Sequence, residues 1–335
     1  MTGWYKGVLG FAAAATVFAV SGCGNSTTTG NTGTGAATSA TDKGTIRIGY
    51  QLYGTSGVMM DRGILDKQLE KLGYKVQWIQ FPGGPQLLQA MNAGAIDLGE
   101  TGDTPPIFAQ SAGTPLVYLA HEPASPEAEA ILVSSQSGIK SVKDLKGKTV
   151  AINKGSNVEY MLVQQLQKAG LTFQDITPDY LTPADARAAF QSGKVSAWAI
   201  WDPYLASAQD ATKSTEIASG SGVTNNYQFY FATKTFAQSH PDIVQDYLNA
   251  LQQTDTWVKN NKVQAAKFLA PKMDISVKAL ETSLNRRAYG VEPITNDVVD
   301  EQQNIANLFY KLGLIPNAIT VKDDVWSGNV GKGTN

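Results

Sequence analysis

Hydrophobic and polar positions along the chain switch repeatedly between two periods. Residues 45–51, "TIRIGYQ", form a short β-rich run, and residues 57–73, "GVMMDRGILDKQLEKLG", then carry apolar positions at helical spacing as far as Gly73. "YKVQWIQF" reads as the next strand and "PQLLQAMNAG" as a helix that opens after a Gly-Gly pair. "AIDLGE" is a strand, "PIFAQSAG" a helix and "LVYLA" a strand again. The pattern then restarts. "SVKDLKGKTVAINKGS" supplies a strand, "NVEYMLVQQLQKAGL" a helix, and "DITPDYL" leads into the helix "PADARAAFQSG", the strand "VSAWAIW" and the helix "PYLASAQ". From about Phe236 onward the chain is mostly helical, through residues 241–261, 262–272 and 295–315. Strands alternating with helices of this size predict βαβ units and a largely parallel sheet.

Two stretches echo one another. "GAIDLGETGDTPPIFAQSAG" begins at Gly94 and "GKVSAWAIWDPYLASA" at Gly193. Each glycine follows a helix and precedes a short strand, and each is followed nine positions later by an aspartate, Asp103 or Asp202, with prolines close behind at Pro105 and Pro203. A chance match of this length is one reading. The other is a pair of similar α/β lobes with the same loop facing one cleft, since ligands of open α/β sheets sit beyond the carboxyl ends of the strands.

Composition narrows the function. The 335 residues are 42% hydrophobic, enough for one substantial core or two smaller ones. With 27 Lys+Arg against 29 Asp+Glu, the chain has no basic footprint for nucleic acid. Its one cysteine, Cys23, and two distant histidines, His121 and His240, argue against a disulfide, a zinc site or a histidine triad. No nucleophile–base pair, dinucleotide fingerprint or ATP-binding P-loop is present. The expectation is a binding protein, not an enzyme, with no cofactor and no metal.

Residues 1–23 place Lys6 before an apolar run, Val8–Val20, that is too short to span a bilayer and fits the core of a secretory signal. Val20-Ser21-Gly22-Cys23 resembles the lipobox of bacterial lipoproteins, which implies a lipid on Cys23 and a location outside the cytoplasm at a membrane. A plain signal peptide with an incidental cysteine is the alternative. Residues 24–44 lack large apolar groups and read as a flexible tether, whose 21 residues would span roughly 25 Å. Residues 327–335 read as a disordered tail.

Residues 81–113 and 180–204 together resemble the aliphatic-sulfonate-binding proteins of ABC importers, in the group that includes taurine- and nitrate-binding proteins. The resemblance runs from about Thr45 to Trp326. It implies a two-lobed α/β fold of the type II periplasmic-binding-protein kind, a monomer with a cleft between lobes. One lobe would comprise residues 45–131 and 233–326 and the other 132–232, with hinge crossings near Ala130–Val133 and Phe229–Thr233. It further implies a sulfonate ligand, with taurine, nitrate or another small oxyanion as alternatives, and partnership with a membrane permease and its ATPase. The chain departs from the family pattern in the loop "LYGTSG", where a lysine is expected soon after the glutamine. A related fold group includes a thiamine-pathway enzyme with a cysteine-rich motif, which this chain lacks.

A sulfonate carries a fixed negative charge and three acceptor oxygens, so it needs donors and a favourable dipole, and helix N-termini supply both. Candidate positions are Gln51 at the end of the first strand, Thr55 at the first helix start, and Gly83 and Gly84 at the second. Gly102, Asp103 and Thr104 follow in the opening loop, and Ser156 and Asn157 precede the first helix of the second half. Each junction also has a reading without ligand: Ser156 with Glu159 makes a capping box, and Asp103 an N-cap or a loop brace. Trp201 and Asp202, with Tyr204, lie in the echoed loop, whereas Trp198 reads as core. Among Arg187, Arg286 and Arg287, the family pattern favours Arg287 as a bidentate partner for an oxyanion. A surface ion pair is the competing reading for each.

Overall fold

The computed structural model describes residues 43–328. Cys23, the signal segment and most of the tether lie outside the described residues, as does the tail beyond Gly328. The chain first lays down β1 (Gly44–Tyr50), α1 (Thr55–Arg62), α2 (Ile64–Lys71), β2 (Tyr74–Gln80), α3 (Gly84–Asn92), β3 (Leu98–Gly102), α4 (Pro105–Ser111) and β4 (Leu116–His121). It then builds β5 (Glu129–Ser134), β6 (Thr149–Ile152), α5 (Asn157–Lys168), β7 (Thr177–Tyr180), α6 (Pro183–Gln191), β8 (Ala197–Trp201), α7 (Tyr204–Ala211) and β9 (Ser214–Ser219). β10 (Gln228–Thr233) precedes five helices: α8 (Lys234–Ser239), α9 (Pro241–Asn260), α10 (Lys262–Met273), α11 (Val277–Arg286) and α12 (Asn296–Lys311). The single helix expected over 57–73 is two, because Gly63 takes the left-handed conformation at φ 60° between them.

The strands form two five-stranded sheets with one plan. The first has the order β2-β1-β3-β10-β4 and the second β7-β6-β8-β5-β9. In each, the first three strands run parallel, and the fourth, β10 or β5, lies antiparallel to both neighbours. β10 and β5 pair on both edges and are buried along most of their length, which is why "FYFA" and "AILV" are continuous apolar runs. Each sheet is covered on both faces. α9 and α2 pack on one side of the first sheet through Leu65, Leu69, Tyr247 and Leu251, and α3, α4 and α12 on the other through Leu87, Ile107, Ile305 and Phe309. The second sheet carries α5 on one face, and α6 with α7 on the other, where Trp198 is core.

The echo is architectural. Gly94 and Gly193 sit at φ 69° and 73°, each closing a helix with the same pair of hydrogen bonds: Gly94 N–H to Met91 O and Ala95 N–H to Ala90 O, against Gly193 N–H to Phe190 O and Lys194 N–H to Ala189 O. The strands that follow, β3 and β8, hold the third place in their sheets.

The chain passes between the sheets twice, over residues 122–128 and 220–227; the two passages bond to each other through Ser125 N–H to Asn225 O, and Glu122 N–H donates to Gln228 O at the start of β10. Both precede the segments that sequence suggested for the hinge, which are strands inside the sheets. α10 and α11 form a further bridge: their cluster of Ala265, Leu269, Leu280 and Leu284 takes in Val58 of α1 and Ala206 of α7. No helix among the described residues is long and apolar enough to cross a membrane.

Candidate functional site

A cavity of about 300 Å³ lies where the carboxyl ends of both sheets meet. The first lobe contributes Gln51 to Gly54 after β1, Gln80 at the end of β2 with Phe81, Pro82 and Gly84 beyond it, and Thr101 and Gly102 at the end of β3 with Pro105 beyond it. The second contributes Ser156 and Asn157 after β6, and Trp201 at the end of β8 with Asp202 to Tyr204 beyond it. Glu122, Ser125, Ala128 and Asn226 of the crossings, with Gln228 at the start of β10, Met273 and Arg287, complete the wall. A larger groove of about 480 Å³ shares Pro105 but runs between α3, α4 and the loops after β6 and β7, with Lys154 as the only charged lining residue.

Eight of the twelve candidate positions therefore line one cavity: Gln51, Gly84, Gly102, Ser156, Asn157, Trp201, Asp202 and Arg287. Thr55, Gly83, Asp103 and Thr104 do not. The Thr55 hydroxyl is buried and turned inward, donating to Asp255 Oδ1 at 2.6 Å with Glu122 Oε1 3.0 Å away. Thr104 donates its hydroxyl to Asp103 Oδ1 at 2.9 Å, and the Asp103 carbonyl accepts from Gln302 of α12 at 2.8 Å. Asp103 is thus a loop brace, and Thr104 holds the N-cap position. Gly83 does not line the wall; a β-carbon there would lie 3.1 Å from Gln86 Oε1 and 3.6 Å from Asn153 Oδ1. Arg187, on α6, is away from the cavity.

Two helix starts from opposite lobes face each other here. Gly84, the first residue of α3, sits so close to β3 that a β-carbon would lie 2.1 Å from Thr101 Oγ1 and 2.8 Å from Pro105 Cγ. Gly102 packs on Asn157 of α5, where a β-carbon would meet the Asn157 side chain at 3.3 Å. The expected capping box at Ser156 is absent. Ser156 instead donates to Asn153 O at 2.6 Å, and Glu159 accepts from Gly155 N–H at 2.6 Å. The amides of Asn157 and Val158 follow, with no intrahelical acceptor, as do those of Gly84 and Gln86 on α3. α4 opens with Pro105 and Pro106, which have no N–H to offer.

The charged groups on the wall are already matched. Arg287 donates from Nε to Glu122 Oε2 at 2.9 Å, from Nη1 to Tyr53 O at 3.3 Å, and from Nη2 to both Glu122 Oε1 and Thr55, with Asp255 3.7 Å away. Four of its five N–H groups are engaged, so the guanidinium cannot fork onto an oxyanion as expected. Burial works against its charge, but the carboxylates of Glu122 and Asp255 outweigh that and raise its pKa. Asp202 accepts from Arg286 and from Ala206 N–H at 3.0 Å. Asn157 donates to Glu129 at 2.7 Å and Asn226 at 3.0 Å. Amides and neutral side chains, not free cations, are what this cavity has left to offer. Among the described residues no cluster of His, Cys, Asp or Glu is arranged to hold a metal.

Several carboxyls around the site are pushed up by burial: Asp202 to about 6, Glu100 and Asp103 to about 7, and Asp255 to about 8. The Glu122 charge adds to the effect at Glu100 and Asp255, while Arg286 opposes it at Asp202. Each group holds its proton more tightly folded than unfolded, where the ordinary values are 3.8 for Asp and 4.5 for Glu. Their contribution is therefore complete below about pH 4 and lost as pH rises through 6 to 8. Thermal melts from pH 5 to 8.5 should show falling stability, with Glu100 alone accounting for on the order of 3 kcal/mol. A flat or rising profile would contradict the burial of these groups.

Sequence reasoning missed Tyr53, Gln80, Phe81, Thr101, Glu122, Ser125, Asn226, Gln228 and Met273. Thr101 abuts Gly102, and Gln80 and Phe81 lie just ahead of Gly83, so the strand ends themselves were the signal for them. The crossing residues were out of reach once the crossings had been placed too late in the chain.

Two α/β lobes of one topology, joined by paired crossings and enclosing a loop-lined cavity, define a two-lobed binding protein of the periplasmic-binding-protein fold. The model of the NMT1/THI5-like family matches residues 69–265, and the chain belongs to that family. A protein of Escherichia coli (strain K12) named as an aliphatic sulfonates-binding protein is 41% identical over 284 residues, covering 84% of this chain and 88% of that one. A Bacillus subtilis (strain 168) protein with the same name is 32% identical over 315 residues, or 93% and 92% of the two chains. The alkanesulfonate-binding protein SsuA of Xanthomonas axonopodis pv. citri, solved bound to MOPS, is similar at TM-score 0.81 and 40% identity, covering 84% of this chain and 98% of that one. The resemblance read from residues 81–113 and 180–204 is borne out.

Proposed function

We propose that this chain is the extracytoplasmic solute-binding component of an ABC importer, capturing aliphatic sulfonates and handing them to a permease. The observation that carries this reading is the meeting of α3 and α5, from opposite lobes, at a cavity whose charged side chains already have protein partners. A fixed anion there is held by first-turn amides that have no intrahelical acceptor, the positive ends of two helix dipoles, and side-chain amides such as Gln51, Gln80 and Gln228. Charge-assisted hydrogen bonds of about 1.5–3 kcal/mol each, less the cost of ordering, reach micromolar affinity, about −8 kcal/mol. Contacts from both lobes exist together only when the lobes are closed, so the ligand favours the closed form and the permease reads it. Lipidation at Cys23, a tether ahead of β1 and a monomeric state belong to the same proposal; the expected lobe limits, 45–131 with 233–326 and 132–232, move to the crossings at 122–128 and 220–227, because β5 lies in the second sheet and β10 in the first. The turnover expected of this site is none.

The test is thermal stability of the purified protein with ethanesulfonate or MOPS, against taurine, nitrate, phosphate and bicarbonate. Ligand at a hundred times its Kd should add about 2.7 kcal/mol. A shift with nitrate, phosphate or bicarbonate and none with any sulfonate would reject the ligand class and keep the fold. A shift with taurine alone would move the reading to amino-sulfonates.

A further inference from the structure

Arg286 and Arg287 are neighbours in sequence, yet their side chains are committed to opposite lobes. Arg287 is tied to Tyr53, Thr55 and Glu122 of the first lobe. Arg286, at the end of α11, reaches the loop and helix after β8: its Nη1 lies 3.3 Å from both Asp202 oxygens, and its Nη2 donates to Gln209 Oε1 at 2.7 Å. We infer that the Arg286–Arg287 pair is a clamp across the cleft, in which Arg286, which does not line the cavity, is the positioning residue that holds the second lobe's wall in the closed arrangement.

Three observations carry this. The Asp202 carboxylate is 1% exposed and also accepts the Ala206 N–H, so the group that Arg286 grips anchors the first turn of α7 and the loop presenting Trp201 and Tyr204 to the cavity. The rest of α11 lies along α7, with Ser276 and Lys278 both bonded to Asp210 at 2.7 and 2.8 Å. The two arginines differ in depth: the Arg287 side chain is 8% exposed and that of Arg286 22%. Arg286 thus holds the more accessible of the two sets of bonds.

The test compares the purified protein with its Arg286→Gln variant by small-angle X-ray scattering without ligand and by MOPS binding kinetics. The binding arm rests on the proposed sulfonate reading; the scattering arm does not. Arg286→Gln should have a larger radius of gyration and bind MOPS about tenfold more weakly, the change lying in a faster dissociation rate, as for most changes within one interface. Lys278→Ala removes an exposed bond from the same helix pair and should change neither quantity. Arg286→Lys keeps the charge but cannot reach Asp202 and Gln209 together, so it should fall between; it carries the test if circular dichroism shows Arg286→Gln unfolded. Unchanged radius and dissociation rate in the folded Arg286 variants would overturn the clamp, as would an equal effect of Lys278→Ala. If the wild-type protein binds neither MOPS nor another sulfonate, the ligand reading fails and the scattering comparison alone decides the clamp.

Discussion

Replacing Arg287 with methionine is expected to lower the unfolding free energy by about 3–5 kcal/mol, because it strands buried carboxylates without their counter-ion. Glu122 and Asp255 are 1% and 0% exposed, and both face this guanidinium. Glu100, fully buried close by, adds a third carboxyl whose pKa Arg287 holds down. The destabilisation should shrink as pH falls, since Asp255 and Glu100, held at about 8 and 7, are then neutral and need no partner. Urea denaturation at pH 8 and pH 5.5 reads both effects, with the m value unchanged. A loss below about 1 kcal/mol at pH 8 would mean that the pair behaves as a surface salt bridge.

The second large effect is on binding. Gly84→Val should weaken sulfonate binding about a hundredfold, equivalent to about 2.7 kcal/mol. A β-carbon there collides with Thr101 Oγ1 and Pro105 Cγ, so α3 must retreat from the loop after β3 and take its first-turn amides with it. Overpacking also costs stability, about 1–3 kcal/mol. Gln89→Ala, exposed on the same helix, is the control and should bind as the wild type does. Isothermal titration with MOPS separates the two; equal affinity for Gly84→Val and wild type would remove α3 from the site.

Much of the fold was legible because alternation of periods 2 and 3.6 follows directly from burying one face of each element. The Gly94 and Gly193 echo proved informative because a left-handed residue must end each helix before the central strand of each sheet, which constrains residue type strongly. β9 escaped notice for the opposite reason. "STEIAS" lies at an edge and is nowhere fully buried, so no apolar alternation marks it.

The site was legible as a set of loops but not as a set of side chains. Position after a strand places a residue near the cleft, yet whether it faces ligand or core depends on partners remote in sequence. Thr55 is claimed by Glu122 and Asp255, 67 and 200 residues away, and Arg287 by Glu122 from 165 residues away. The Asp103 loop is braced by Gln302, 199 residues on. The resemblance to a family with an arginine at position 287 identified the residue, while its hydrogen bonds show a guanidinium with four of its five N–H groups taken by the protein.

Amides, not a free cation, are to grip the sulfonate between the lobes, and a crystal structure of the MOPS complex tests this most directly. Sulfonate oxygens should lie within about 2.7–3.2 Å of first-turn amides at Gly84 or Gln86 and at Asn157 or Val158, with the Arg287–Glu122 pair intact. A sulfonate seated on an Arg287 that has released Glu122, or bound outside this cavity, would contradict it.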